Sequence, residues 1–187
     1  MKVITMRTIL LAALLAVALI GCEKKTGGTA APSTGTAAAN APSGAPLPDG
    51  LLLTAAPEGA QELVAGLANA KDGDKVTIRG RVGGRKEPFV PGRAAMVMVD
   101  LAVPYCGEKV KDDHCATPWD YCCEPVDQLA KNAVAVQFDG PDGNILKADL
   151  NGAGGIAPLR VVIVQGTLRQ AETARTLHAT GIYVVPK

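Results

Sequence analysis

Aromatic side chains are scarce in this chain. They make up 3% of 187 residues, and one Trp, three Tyr and two Phe are too few to build stacking platforms for single-stranded nucleic acid. Excess charge is missing too: 19 basic residues against 18 acidic ones leave +1, neither the footprint of a polyanion binder nor an acidic solvating tail. The motifs of common chemistries do not occur. There is no Gly-x-Ser-x-Gly and no His-Glu-x-x-His, and Gly152 to Gly155 is not followed by the Lys-Ser/Thr of a phosphate loop. Without a Cys-x-x-Cys, neither a thioredoxin-like nucleophile nor haem attachment is expected. Of the two histidines, His178 lies among apolar strand residues and reads as structural. An acid-base role for His114 beside Asp112 and Asp113 would make the chain a hydrolase, but no nucleophile accompanies it.

What the chain does have is concentrated in blocks. The first 22 residues carry Lys2 and Arg7, an apolar run from Ile9 to Ile20, a small residue and Cys22. A spanning helix needs about 20 apolar residues, and this run stops well short before Glu23, Lys24 and Lys25. That is the anatomy of a cleaved signal peptide, residues 1–21. Leu19-Ile20-Gly21-Cys22 resembles the bacterial lipobox. The resemblance implies cleavage before Cys22 and acylation of that cysteine, hence a lipid-anchored protein of the cell envelope, palmitate-type chains included. Several acyl chains, each buried methylene contributing about 0.8 kcal/mol, hold a protein stably where one chain does not.

Residues 22–50 are rich in Ala, Gly, Pro, Ser and Thr and hold few large apolar side chains, so burial there cannot offset the entropy of ordering. They read as a tether. The pattern changes in residues 51–187. Leu63, Val64 and Leu67, extended by Ala60, sit at helical spacing within Pro57 to Ala70. Apolar runs with strand character follow at 76–82, 95–101, 133–138, 161–168 and 177–185, and 145–150 offers a sixth, returning across the turn at Asp139 to Gly143. In the first run Val76, Ile78 and Val82 alternate with Lys75, Thr77, Arg79 and Arg81, as in a half-buried antiparallel strand. The expected fold is mostly β: a small antiparallel barrel of five to six strands preceded by a short helix. The order of Val76 to Val82, a middle hairpin, Val162 to Leu168 and Leu177 to Ile182 resembles the OB-fold across residues 74–185. That fold hosts many unrelated functions and assigns none.

Between the second and third strands runs the most individual segment, Val103 to Asp127, with four of the five cysteines and the single Trp. In an oxidising exported compartment the simplest expectation is two disulfides. Adjacent Cys122 and Cys123 make a strained pair, so the bridges would join them to Cys106 and Cys115, in either connectivity. Trp119 and Tyr121 would then pack over the bridges or cap the barrel mouth. The alternative is zinc or copper held by Cys106, His114, Cys115 and Cys122. Against it stands the absence of Cys-x-x-Cys. Thr117 to Glu124 resembles a segment of uncharacterised exported bacterial lipoproteins, a likeness that implies no activity.

Charge is polarised along the domain. Lys75, Arg79, Arg81, Arg85, Lys86 and Arg93 stand against Glu87 alone, while Asp100 to Asp127 carries seven acids against Lys109 and Lys111. The basic residues, with Trp119 and Tyr121, form the candidate ligand surface. The expected function is non-enzymatic binding of a protein or anionic glycan by an envelope lipoprotein without cofactor. A metal-binding lipoprotein using residues 106–123 is the alternative.

Overall fold

The computed structural model describes residues 45–110, 112, 114–172 and 174–187. The leader, Cys22 and most of the tether lie outside the described residues. Among those described, no helix is long and apolar enough to cross a membrane. In chain order the elements are β1 (Gln61–Glu62), α1 (Leu63–Leu67), β2 (Lys75–Val82), β3 (Ala95–Val99), α2 (Cys106–Lys109), α3 (Val126–Lys131), β4 (Ala133–Phe138), β5 (Val161–Gln170) and β6 (Arg175–Val184). Single 3-10 turns occupy Pro118–Asp120 and Ala153–Gly155.

Five strands close on one another in the order β2-β3-β4-β6-β5, with β5 returning to β2. Alternation drives the closure. Ile78, Gly80 and Val82 of β2 face inward while Thr77, Arg79 and Arg81 are only half-buried, and the other strands bury Met96, Met98, Val134, Val136, Phe138, Val162, Val164, Leu168, Leu177 and Ile182 in the same core. Each fully buried Leu, Ile, Val or Met side chain contributes about 1.5–3 kcal/mol. Gly80 sits where a Cβ would press on the Val99 carbonyl, at 2.9 Å, so the β2–β3 crossing depends on its missing side chain.

The barrel is mixed, which corrects the expectation of an antiparallel one. β4 and β6 pair in parallel, as do β1 and β2. The cause is the long connection from β4 to β5: it carries β5 past the gap that β6 fills, and β6 then lies beside β4 in the same direction. The extra strand is also not the one expected. Residues 145–150 make only one bridge, Ile145 with Asp139, whereas Gln61 and Glu62 pair with Ile78 and Arg79 along the half of the β2 edge that β3 leaves open. Satisfying that edge shortens the expected helix to Leu63–Leu67. Leu63 and Leu67 are buried as their spacing requires, while Val64 stays exposed. Asp100, at the end of β3, is the one charged residue that is fully buried among those described, and it accepts hydrogen bonds from Val64 N (2.7 Å) and Ala102 N (2.8 Å). It ties α1 to the barrel.

Candidate functional site

The cysteine-bearing segment between β3 and β4 lies against the start of the β2–β3 connection. Gly83 permits this approach: a Cβ there would stand 2.7 Å from the Trp119 carbonyl and 2.9 Å from the Tyr121 ring. Gly84 N donates to Trp119 O (2.8 Å), and Trp119 Nε1 donates to Lys86 O (3.0 Å). Tyr121 is 1% exposed and left-handed, at φ 58°. Burial pushes its phenol up; the hydroxyl faces the Arg81 guanidinium without a formed hydrogen bond. Arg81 grips the segment from the strand side with a bidentate pair to Glu108 (3.0 and 2.9 Å), and its guanidinium lies 4.8 Å over the Tyr105 ring. The acidic and basic poles of the sequence therefore meet at Arg81 and Glu108. Lys109 and Glu124 add a second clasp at 2.6 Å.

Three sulfurs converge beneath this clasp. Cys122 Sγ lies 3.5 Å from Cys106 Sγ and 3.8 Å from Cys115 Sγ; Cys123 Sγ lies 3.9 Å from Cys122. A disulfide requires about 2.05 Å, so neither expected bridge is formed here. One carboxylate oxygen of Asp120 joins Cys106, Cys115 and Cys122, the four donor atoms lying within 4.8 Å of one another. His114, expected as the fourth metal ligand, is exposed and stands outside this group. The turn explains the exchange: Asp120 Oδ1 accepts from Cys122 N (2.9 Å) and Oδ2 from the Thr117 hydroxyl (2.8 Å), which places the carboxylate on the Cys122 side. Hydrogen bonding to Cys106 and Cys115 pushes the Cys122 thiol up.

A groove of about 330 Å³ runs beside the segment, over β3 and β4. Its floor is Val97, Ala133, Val134 and Ala135, α3 walls it with Val126, Leu129 and Ala130, and Arg85 contributes from the β2–β3 connection and Arg175 from the first residue of β6. Its lining contains no thiol, imidazole or carboxylate. Val126, 83% exposed, stands at its rim. A larger hollow of about 600 Å³ between α1 and the start of β2 mixes Glu58 and Asp74 with Lys75 and lacks a cationic pair.

The candidate ligand residues therefore divide. Arg79 is paired with Glu62 at 3.1 Å and Arg81 with Glu108, so both serve the fold's own carboxylates. Arg85, Lys86 and Arg93 are exposed and make no ion pair among the described residues, and Arg85 alone of these lines the groove. Trp119 and Tyr121 hold the segment in place instead of lining the groove. Sequence reasoning missed Arg175, because its neighbours Ala174 and Thr176 give no periodic signal, and missed Asp120, although the Asp-x-Cys spacing in a tight turn points to it.

No family model and no curated protein matches the chain. Among solved structures, a chain described as "OBody AM1L10 bound to hen egg-white lysozyme" is similar at 10% identity over 62% of this chain and 82% of that one, with a TM-score of 0.30. A likeness of that size carries no argument.

Proposed function

We propose that this chain is a lipid-anchored envelope protein whose barrel is of the OB type and binds an anionic ligand, a glycan carrying carboxylates, in the groove between Arg85 and Arg175. The arrangement of strands supports the OB reading. Three consecutive strands, β2, β3 and β4, are followed by a fourth, β5, that returns beside the first, the Greek-key order, and the whole closes as five strands. In such barrels ligands are taken on the face of the second and third strands, flanked by the first-to-second and fourth-to-fifth loops. That the groove lies over β3 and β4 beside the β2–β3 connection supports this reading.

The observation that carries the reading is the groove's make-up: small apolar side chains on its floor with Arg85 and Arg175 in the lining, Arg175 Nη2 also donating to Lys131 O at 3.4 Å. A floor of that kind suits the CH face of a sugar ring, and guanidinium forks donate bidentately to carboxylates. Binding is the reading favoured by a lining whose polar side chains are Arg85, Arg175 and Thr176, with no thiol, imidazole or carboxylate among them. Anchoring rests on the lipobox resemblance at Cys22 and the tether after it.

The test is binding of the mature chain to an immobilised polyuronate, with Arg85→Glu and Arg175→Glu variants. Each reversal is expected to weaken binding about threefold to tenfold at low salt, with the difference shrinking as salt rises. Preference for an acidic model peptide over the polyuronate would make the ligand a protein. Equal binding by wild type and both variants would refute the groove.

A further inference from the structure

We propose that Cys106, Cys115, Asp120 and Cys122 form a structural zinc site that cross-links the segment between β3 and β4 to itself, independently of the anionic groove. A tetrahedral ion with thiolates at about 2.3 Å sets neighbouring sulfurs about 3.8 Å apart. The separations of 3.5 and 3.8 Å about Cys122 match that edge, and the whole donor set fits within 4.8 Å. A disulfide draws two sulfurs together and leaves the third aside, whereas here one sulfur faces two others at nearly the same distance.

The surroundings suit an ion as well. Ligating carboxylates are held by hydrogen bonds of their own, and Asp120 receives two, from Cys122 N and the Thr117 hydroxyl. Cys106 is buried at 1% exposure, Cys115 and Asp120 are half-buried, and Cys122 reaches the surface, which gives an entry path. Three thiolates and a carboxylate exceed the ion's charge by two. Lys109, adjacent in charge to Cys106 and Cys123, offsets part of that excess. Four protein ligands leave no open position, so the site is structural and polarises no substrate. Loading releases the thiol protons to solvent and leaves the sulfurs at the same oxidation level.

The segment needs such a staple. Among the described residues between Val103 and Asp127 only Cys106 and Tyr121 are buried hydrophobics, too small a core to hold so polar a stretch.

The experiment isolates the mature chain from an oxidising compartment, without reductant or chelator, and measures bound metal together with thiols open to alkylation. One zinc per chain is expected, with Cys106, Cys115 and Cys122 protected until a strong chelator is added. The same protein, stripped and reloaded with cobalt(II), is expected to show the thiolate charge-transfer and d–d bands of a tetrahedral sulfur site. Asp120→Asn should weaken cobalt binding about tenfold or more, while His114→Ala and Cys123→Ser leave it unchanged. Disulfides involving Cys106, Cys115 or Cys122 in the isolated protein overturn the proposal. So does a reduced, stripped protein that gives no cobalt spectrum, and so does loss of binding in His114→Ala with Asp120→Asn unaffected.

Discussion

At the residue scale, two positions hold flanking segments against the barrel. Gly83 is where the Trp119–Tyr121 turn touches the barrel, and a Cβ there meets a carbonyl that cannot move without breaking the Gly84 N to Trp119 O bond. Gly83→Ala is expected to cost about 1–3 kcal/mol, and the lost contact should shift Trp119 fluorescence toward that of an exposed indole before the barrel melts. Unchanged Trp119 emission together with unchanged stability would show that the contact is not needed. Asp100 plays the matching part for α1. Asp100→Ala leaves Val64 N and Ala102 N without their acceptor, and a loss of about 1–3 kcal/mol in chemical unfolding is expected.

At the element scale, the five barrel strands were legible and their partners were not. Alternation in β2 and the apolar runs of β4 and β5 mark strands because burying one face requires period two, and β4 begins and ends where its run does. Direction is another matter. Whether β6 runs parallel or antiparallel to β4 depends on where a connection of low periodicity, residues 139–160, carries the chain. β1 went unseen because two residues hold no period, and α1 looked longer than it is because the edge of β2 competes for Gln61 and Glu62. The sulfur cluster was half legible. Four cysteines signal a cross-link of some kind, but only the turn at Pro118–Asp120 makes a ligand candidate of Asp120 and leaves His114 outside.

The connection after β4 also carries a pH-dependent turn. Hydrogen bonds from the Asn144 side chain and backbone to Asp142 hold its carboxyl below the usual range. A depressed carboxylate lends stability above its unfolded pKa of about 3.9 and loses it as pH falls through the lower folded value. Amide exchange across residues 139–145, corrected for intrinsic rates, should therefore rise below about pH 4, and the rise should vanish in Asp142→Asn. A turn as protected at low pH as at neutral pH would contradict this.

At the scale of the whole molecule, the proposed division of work is that a leader and an acylated Cys22 would give the address, a tether would give reach, and the closed barrel carries the groove lined by Arg85 and Arg175. Cys22→Ala should remove acyl label from the protein and release it from the membrane fraction, because the apolar run of Ile9 to Ile20 is too short to span. Retention of that variant in membranes would mean that something other than acyl chains holds it. The barrel's own claim is more specific, namely that an anionic ligand enters between Arg85 and Arg175. Its most direct test is a nuclear magnetic resonance titration of the isotope-labelled mature chain with a short oligouronate. Shifts are predicted to concentrate at Gly84, Arg85, Val97, Ala133, Ala135 and Arg175 and to saturate together. Shifts confined to the hollow between α1 and β2, or spread evenly over the basic surface, would contradict it.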